Sequence, residues 1–336
     1  MAQIIGIFNL TKDREFTQPP KAFLLLPMQF GRTDDLPEDA ILLPPDDPGN
    51  REYYDRWQLE DRKGKPQIYI GAPVWGHPGF VGKIYPKGSK SRDFLALYGQ
   101  QFNCVELNAT YYGLPPLEQI HRWRDSVGDA FRFSPKFPQA ISHEPDLPAK
   151  EVLTARFLDT VRGLGDRLGM AFLQLPPSFG PERLEELSRY LEMLPRDFSL
   201  GVEFRHPALF QDKMAREDWA TILEDNAAAA VITDTIGRRD VLHQRLCADT
   251  LFLRWTGNNG HPSDKIRLDD WVERLALWIG KGLRHIYFYV HQPDEEHSIE
   301  SAHYLVQRLN ERLGLDLKAP RILPRVIQQD LFGDSQ

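Results

Sequence analysis

The stretch Ser199-Leu200-Gly201-Val202-Glu203-Phe204-Arg205-His206-Pro207 runs an apolar strand directly into an acid, a guanidinium and an imidazole. Successive strand side chains point to opposite faces, so Glu203 and Arg205 share one face while Phe204 takes the other. Similar short apolar, β-rich runs lie at 67–72, 103–107, 130–134, 170–175, 228–233, 251–255 and 285–290, and most end on polar residues. Amphipathic stretches separate them. Leu184, Leu187, Leu191 and Leu194 recur at helical spacing, as do Leu268, Trp271, Leu275 and Trp278, with Asp270 and Glu273 spaced as a capping box. A last helix opens near Ser298, buries Ile299, Ala302, Leu305 and Leu309, and ends at Gly314. The link between the sixth and seventh runs has the weakest helical pattern. Eight strands joined mostly by helices predict an α/β fold, a (β/α)8 TIM-type barrel with an N-terminal extension and a short C-terminal tail. The alternative is an open doubly wound sheet, but no glycine-rich phosphate turn follows any run.

The 336 residues exceed the roughly 250 of a typical barrel of this kind, which leaves room for arms. Residues 1–66 mix short apolar pieces with proline-rich joints such as Leu43-Pro44-Pro45-Asp46-Asp47-Pro48-Gly49 and read as an arm packed on the barrel. The barrel is expected over 67–316 and the tail over 317–336. A charge of -7 argues against a sequence-blind grip on nucleic acid, which needs cations to displace condensed counterions; a local basic groove is left open. The two cysteines, Cys104 and Cys247, are too few for a disulfide framework or a cysteine zinc site. Met1 to Leu10 lacks a basic start and a small-residue cleavage site, and no stretch is apolar enough to span a bilayer. A cytoplasmic location is therefore expected.

Barrel enzymes place their chemistry at the carboxyl ends of the strands. There the second strand offers Glu106 and Asn108, with Tyr111 and Tyr112 following, and the third offers Ser134, Lys136 and, farther on, His143. The remaining strands add Gln174, then Glu203, Arg205 and His206, then Asp234, Arg254 and His291. This set predicts a pocket for a small anionic or sugar-like substrate. Arg205, Arg254 and Lys136 would contact the anion, since a guanidinium grips a carboxylate or phosphate through paired hydrogen bonds. Glu106 and Glu203 are the acid/base candidates, because neighbouring carboxylates in unequal surroundings can have their pKa values driven apart. Asn108, Tyr112 and Gln174 would orient substrate. The competing reading makes Glu203, Arg205 and Arg254 a buried ion network that organises the barrel. Lys136 could attack a carbonyl and form a Schiff base, but a salt-bridged lysine is the commoner arrangement. No cofactor is predicted. A divalent metal held by Glu203, His206, Asp234 and His291 is the alternative, although no local histidine pair supports it.

In order along the chain, several motifs resemble the YecE-like family, domain of unknown function 72. They are Ile70-Gly71 with Trp75, Tyr85-Pro86, Phe94-Leu95-Ala96 and Val105-Glu106-Leu107-Asn108-Ala109-Thr110-Tyr111-Tyr112. Phe133-Ser134-Pro135-Lys136, Ile141-Ser142-His143, Gln174-Leu175-Pro176-Pro177-Ser178-Phe179 and Glu203-Phe204-Arg205-His206-Pro207 continue the match. The resemblance covers about residues 67 to 313 and implies a TIM-type barrel with a strand-end pocket, but no established reaction. The chain departs from it after the seventh strand, where Arg254-Trp255-Thr256-Gly257 replaces Arg-x-His-Gly, and around Tyr289-Val290-His291-Gln292, which replaces Phe-Asn-Asn. The enzyme expected on these grounds is a hydrolase or other acid/base catalyst, not a redox enzyme.

Near the end, Gln328-Gln329-Asp330-Leu331-Phe332 resembles the pentapeptide by which proteins bind the bacterial sliding clamp, with Gln328, Leu331 and Phe332 as its contacts. This suggests a replication- or repair-associated protein tethered by its tail. The alternative has Leu331 and Phe332 packing the tail onto the barrel. A non-catalytic ligand-binding barrel is a third reading.

Overall fold

The computed structural model describes residues 41–324 except 61 and 63. Eight strands appear: β1 (Gln67–Ala72), β2 (Cys104–Leu107), β3 (Arg132–Pro135), β4 (Ala171–Gln174), β5 (Leu200–Glu203), β6 (Ala229–Thr235), β7 (Thr250–Thr256) and β8 (His285–His291). All pair in parallel in the order β3-β2-β1-β8-β7-β6-β5-β4. Isolated bridges join Phe133 to Leu168 and Lys136 to Phe172, so the ring closes between β3 and β4. This is a (β/α)8 TIM-type barrel. Apolar runs without alternation suit such strands, because helices cover one face and the barrel core fills the other.

Eleven helices accompany them among the described residues: α1 (Arg51–Leu59), α2 (Phe94–Tyr98), α3 (Ala109–Tyr112), α4 (Leu117–Asp125), α5 (Gln139–Ser142), α6 (Glu151–Arg162), α7 (Leu184–Glu192), α8 (Ala208–Gln211), α9 (Lys213–Asp225), α10 (Pro262–Lys281) and α11 (Ser298–Leu313). The weak link between β6 and β7 forms only a 3-10 turn at Arg239–Val241. One boundary differs from expectation. Helix α10 starts at Pro262, where His261 accepts the Ser263 amide, so Asp270 and Glu273 lie inside the helix and cap nothing. Proline at the first helical position and a side-chain acceptor before it fix the start earlier than the apolar stripe suggests.

Facing the barrel axis, Cys104, Met170, Phe172, Ala229, Val231, Phe252, Tyr287 and Tyr289 pack into an inner plug. Gly71 on β1 is required there, because a Cβ would lie 2.1 Å from the Cys104 carbonyl oxygen. Larger apolar layers fill the space between strands and helices. The preceding segment is pinned to the barrel by polar contacts. Asp46 accepts from Asn50, Tyr54 and the Trp278 indole; Asn50 bonds Gln244 O and the Leu246 amide; and the Trp57 indole reaches Asp249. At the other end, Asn310 bonds both the amide and the carbonyl of Leu317.

Candidate functional site

Parity along each strand decides which polar groups enter the barrel. Glu106 lies level with Ser134, Gln174 with Glu203, and Arg254 with Tyr289, which is itself part of the inner plug. Arg254 is their hub. Its Nε and one terminal nitrogen donate to the two oxygens of Glu106 at 2.9 and 3.0 Å, a paired grip, and its other terminal nitrogen reaches Glu203 Oε2 at 2.8 Å. His291 Nε2 lies 3.0 Å from Glu106 Oε2, and Asn108 donates to Glu106 Oε1 at 3.0 Å. Gln174 donates to Glu203 Oε2 at 2.9 Å and accepts from Lys136 Nζ at 2.8 Å. Below, Tyr289 donates to Ser134 at 2.6 Å and the Phe172 ring underlies Arg254.

Both carboxylates are wholly buried. Burial alone would raise their pKa values, but the Arg254 charge together with the neighbouring cations and hydrogen bonds outweighs it and holds Glu106 well below, and Glu203 below, the usual carboxylate range. His291 adds to the effect on Glu106, and Arg205 to that on Glu203. Both groups are thus biased toward the ionised form, which favours neither as a general acid. Every Glu106 oxygen is also occupied by donors, which makes this residue a positioning group rather than a proton acceptor. Glu203 differs, because its Oε1 is buried without a hydrogen bond.

Lys136 and Arg205 stand beside this network. Lys136 is 6% exposed and its ammonium sits 4.1 Å from the centre of the Tyr111 ring. Desolvation first, then the Arg254 charge, push its pKa down to about 8. No carboxylate lies within 4.0 Å of Nζ among the described residues, so the expected salt-bridged lysine is corrected. Arg205 approaches Glu203 Oε1 at 3.7 Å, and its Nε is buried without a hydrogen-bond acceptor. Burial lowers its pKa from the ordinary guanidinium value. His143 is half-buried at the rim, near the Ser142 hydroxyl and the Tyr111 phenol, and desolvation followed by the Lys136 charge lowers its pKa.

Three expected members fall elsewhere. Asp234 faces outward from the barrel, because it pairs level with Trp255 whereas Arg254 pairs with the inward Thr233. It is buried against α10, where Arg267 and the Trp271 indole bind it, and Arg239 of the turn after β6 binds it too. His206 accepts the amide of Ala208 and shapes its own turn. Tyr112 is 57% exposed, and the short helix α3 turns Tyr111 toward Lys136 instead. The donor set weighed for a metal thus does not converge, since Asp234 lies on the far face of its strand. Among the described residues no cluster of three or more His, Cys, Asp or Glu could hold a metal ion. Gln328, Leu331 and Phe332 lie outside the described residues.

Sequence reasoning noted Tyr111 without giving it a role, and missed Glu295. The first followed from helical phase, which the pair Tyr111-Tyr112 alone does not set. Glu295 sits in the acidic run Asp294-Glu295-Glu296, which reads as a solvated loop. It lies 4.0 Å from His291 Nδ1, its Oε2 is buried without a partner, and desolvation raises its pKa well above the carboxylate range.

A distinct cavity of about 150 Å³ lies among Ile68, Phe102, Asn103, Val306 and Leu317, away from these groups. No helix among the described residues is long and apolar enough to cross a membrane.

A family model described as a protein of unknown function, DUF72, matches residues 69–324. The chain is 33% identical over 283 residues to the UPF0759 protein YecE of Escherichia coli (strain K12), which covers 79% of this chain and all of that relative. It is 27% identical over 151 residues to the UPF0759 protein YunF of Bacillus subtilis (strain 168), spanning 43% of this chain and 52% of that one. A crystal structure of a DUF72 family protein from Enterococcus faecalis V583 aligns with a TM-score of 0.59 at 18% identity, over 76% of this chain and 98% of the other. One from Thermotoga maritima MSB8 aligns at 0.56 and 20% identity, over 74% and 99%. The structural likenesses speak for the barrel, while the sequence matches reach through the strand ends that hold Glu106, Lys136, Glu203 and Arg254: the chain belongs to the DUF72 family.

Proposed function

We propose that the carboxyl-end mouth of the barrel binds a small anionic or sugar-like molecule and performs acid/base chemistry on it, hydrolysis being one such outcome. One observation carries this reading. Lys136, Arg205 and Arg254 face two carboxylates, and both carboxylates accept hydrogen bonds from Arg254. One positive charge is left over, on groups that donate to no carboxylate: Lys136 and Arg205. A buried guanidinium with a free N–H is a ready partner for a carboxylate or phosphate, because desolvation has already weakened its competition with water. Lys136, at about 8, holds a proton it can release near neutral pH, and the unpaired Oε1 of Glu203 can accept one. Glu106, His291 and Asn108 hold Arg254 in place, Gln174 spans Lys136 and Glu203, and His143 stands at the entrance. The ion-network reading describes Glu106, Arg254 and Glu203 well and takes in Arg205 at 3.7 Å from Glu203, but it does not account for Lys136.

Isothermal titration calorimetry with oxalate, phosphate and gluconate tests the site. At least one should bind, and Arg205→Met should weaken that binding about tenfold or more, the size of one lost charge-assisted hydrogen bond. No binding by any of the three, or equal binding by the variant, overturns the proposal.

A further inference from the structure

We infer that Lys136 is a carbonyl nucleophile, and that the anion taken by this mouth is a small oxo acid which the lysine captures as an imine. This rests on the anion site proposed above. A lysine that serves as a fixed cation is normally held by a carboxylate, yet Lys136 Nζ donates to the Gln174 amide oxygen at 2.8 Å and rests on the Tyr111 ring, with no carboxylate within 4.0 Å among the described residues. Those neighbours suit a neutral amine as well as an ammonium. Its backbone is fixed too: Lys136 pairs with Phe172 across the seam of the barrel, its amide donates to Leu107 O, and its carbonyl accepts from the buried Thr110 hydroxyl. The amine is therefore aimed, because a residue bridged directly onto the end of a strand places its side chain more narrowly than a free loop does. Desolvation and the Arg254 charge leave roughly a tenth of the amine neutral at pH 7. Arg205, whose buried Nε has no hydrogen-bond acceptor, supplies the grip for the carboxylate of an oxo acid.

The step balances without an oxidant or reductant. The amine lone pair forms a C–N bond to the carbonyl carbon while the C=O π pair moves to oxygen, which takes the proton released by nitrogen. One further proton from solvent converts that hydroxyl to water, the C–O bond breaks, and a protonated imine is left on Lys136.

Glyoxylate and pyruvate, each incubated with the full chain and sodium cyanoborohydride, test this by intact mass and peptide mapping. One reduced adduct per chain, mapped to the peptide holding Lys136 and absent in Lys136→Met, is expected with at least one of them. Adduct spread over surface lysines at equal yield in Lys136→Met overturns the inference. Oxalate, which resembles these acids but has no ketone or aldehyde, is titrated in parallel. Oxalate binding that depends on Arg205, with no adduct at Lys136, ends the nucleophile assignment and leaves the anion site standing. Loss of both ends both.

Discussion

Replacing Lys136 by Met should make the protein more stable at neutral pH, although it removes two contacts. Burial first, then Arg254, lower the lysine pKa from 10.5 to about 8. At about 1.4 kcal/mol per pH unit, that gap is worth about 3 kcal/mol of preference for the neutral amine in the folded state. The sign follows from proton counting. Between about pH 8 and 10.5 the unfolded chain binds more protons at this residue than the folded one, so native stability rises with pH through that window. Below pH 8 the full penalty is in force; above 10.5 it has gone. Met keeps the apolar stem but loses the Gln174 hydrogen bond and the Tyr111 contact, each worth about 1 kcal/mol. The net gain at pH 7 is therefore about 1 kcal/mol, and it should change sign at about pH 9, where the remaining penalty equals the roughly 2 kcal/mol of lost contacts, leaving a net loss by pH 10. Urea denaturation of both proteins at pH 7, 8.5 and 10 measures it. A variant less stable at pH 7, or a difference that is flat across the three pH values, would refute the argument that this lysine is desolvated without an ion-pair partner.

Three further outcomes are expected. Arg254→Met should cost about 3–5 kcal/mol in urea denaturation, because it strands two buried carboxylates; a loss under about 1 kcal/mol would mean that the network is not a structural hub. Since Glu106 and Glu203 have lowered folded pKa values, the stability they contribute is present above the ordinary carboxylate range and lost as pH falls below it. A Glu106→Gln protein should accordingly show a shallower loss of stability from pH 5 to pH 3 than the wild type, and an unchanged slope contradicts this. Asp234→Asn should destabilise by about 3 kcal/mol by uncompensating Arg267 and Arg239 while leaving oxalate affinity within about twofold, whereas a tenfold weaker affinity would return Asp234 to the site. For the tail, a pull-down with the bacterial sliding clamp separates the two readings: a tether requires that the intact chain is retained and the variant carrying Leu331→Ala and Phe332→Ala is lost, and equal retention discards it.

The legible and the illegible parts of this molecule differ in kind. Strands and helices follow from local pattern: the run at 199–204 becomes β5 and the stripe from Leu184 becomes α7, because side-chain periodicity is a property of neighbouring residues. The start of α10 was misplaced because the apolar stripe begins later than the His261-Pro262 cap. At the site, Glu106, Gln174, Glu203 and Arg254 were readable as strand-end polar groups. Asp234 was misassigned by a single residue, since its neighbour Thr233 takes the inward position opposite Arg254. Tyr111 and Tyr112 could be told apart only by the phase of α3, and Glu295 was hidden in an acidic run that looks solvated.

Sequence alone determined the barrel, the family and the general identity of its charged mouth, because alternation, turn residues and ordered motifs are written in one dimension. Tertiary structure decided which charges cancel. Arg254 hydrogen-bonds both Glu106 and Glu203, 148 and 51 residues away in the chain, whereas Lys136 has only an amide and an aromatic ring for company. Strand register and barrel closure set those distances, and they depend on the packing of all eight strands together. Whether an acid is a catalyst or a counter-ion, and whether a lysine is an anchor or a nucleophile, is therefore fixed by which side chains the closed ring brings within hydrogen-bonding reach.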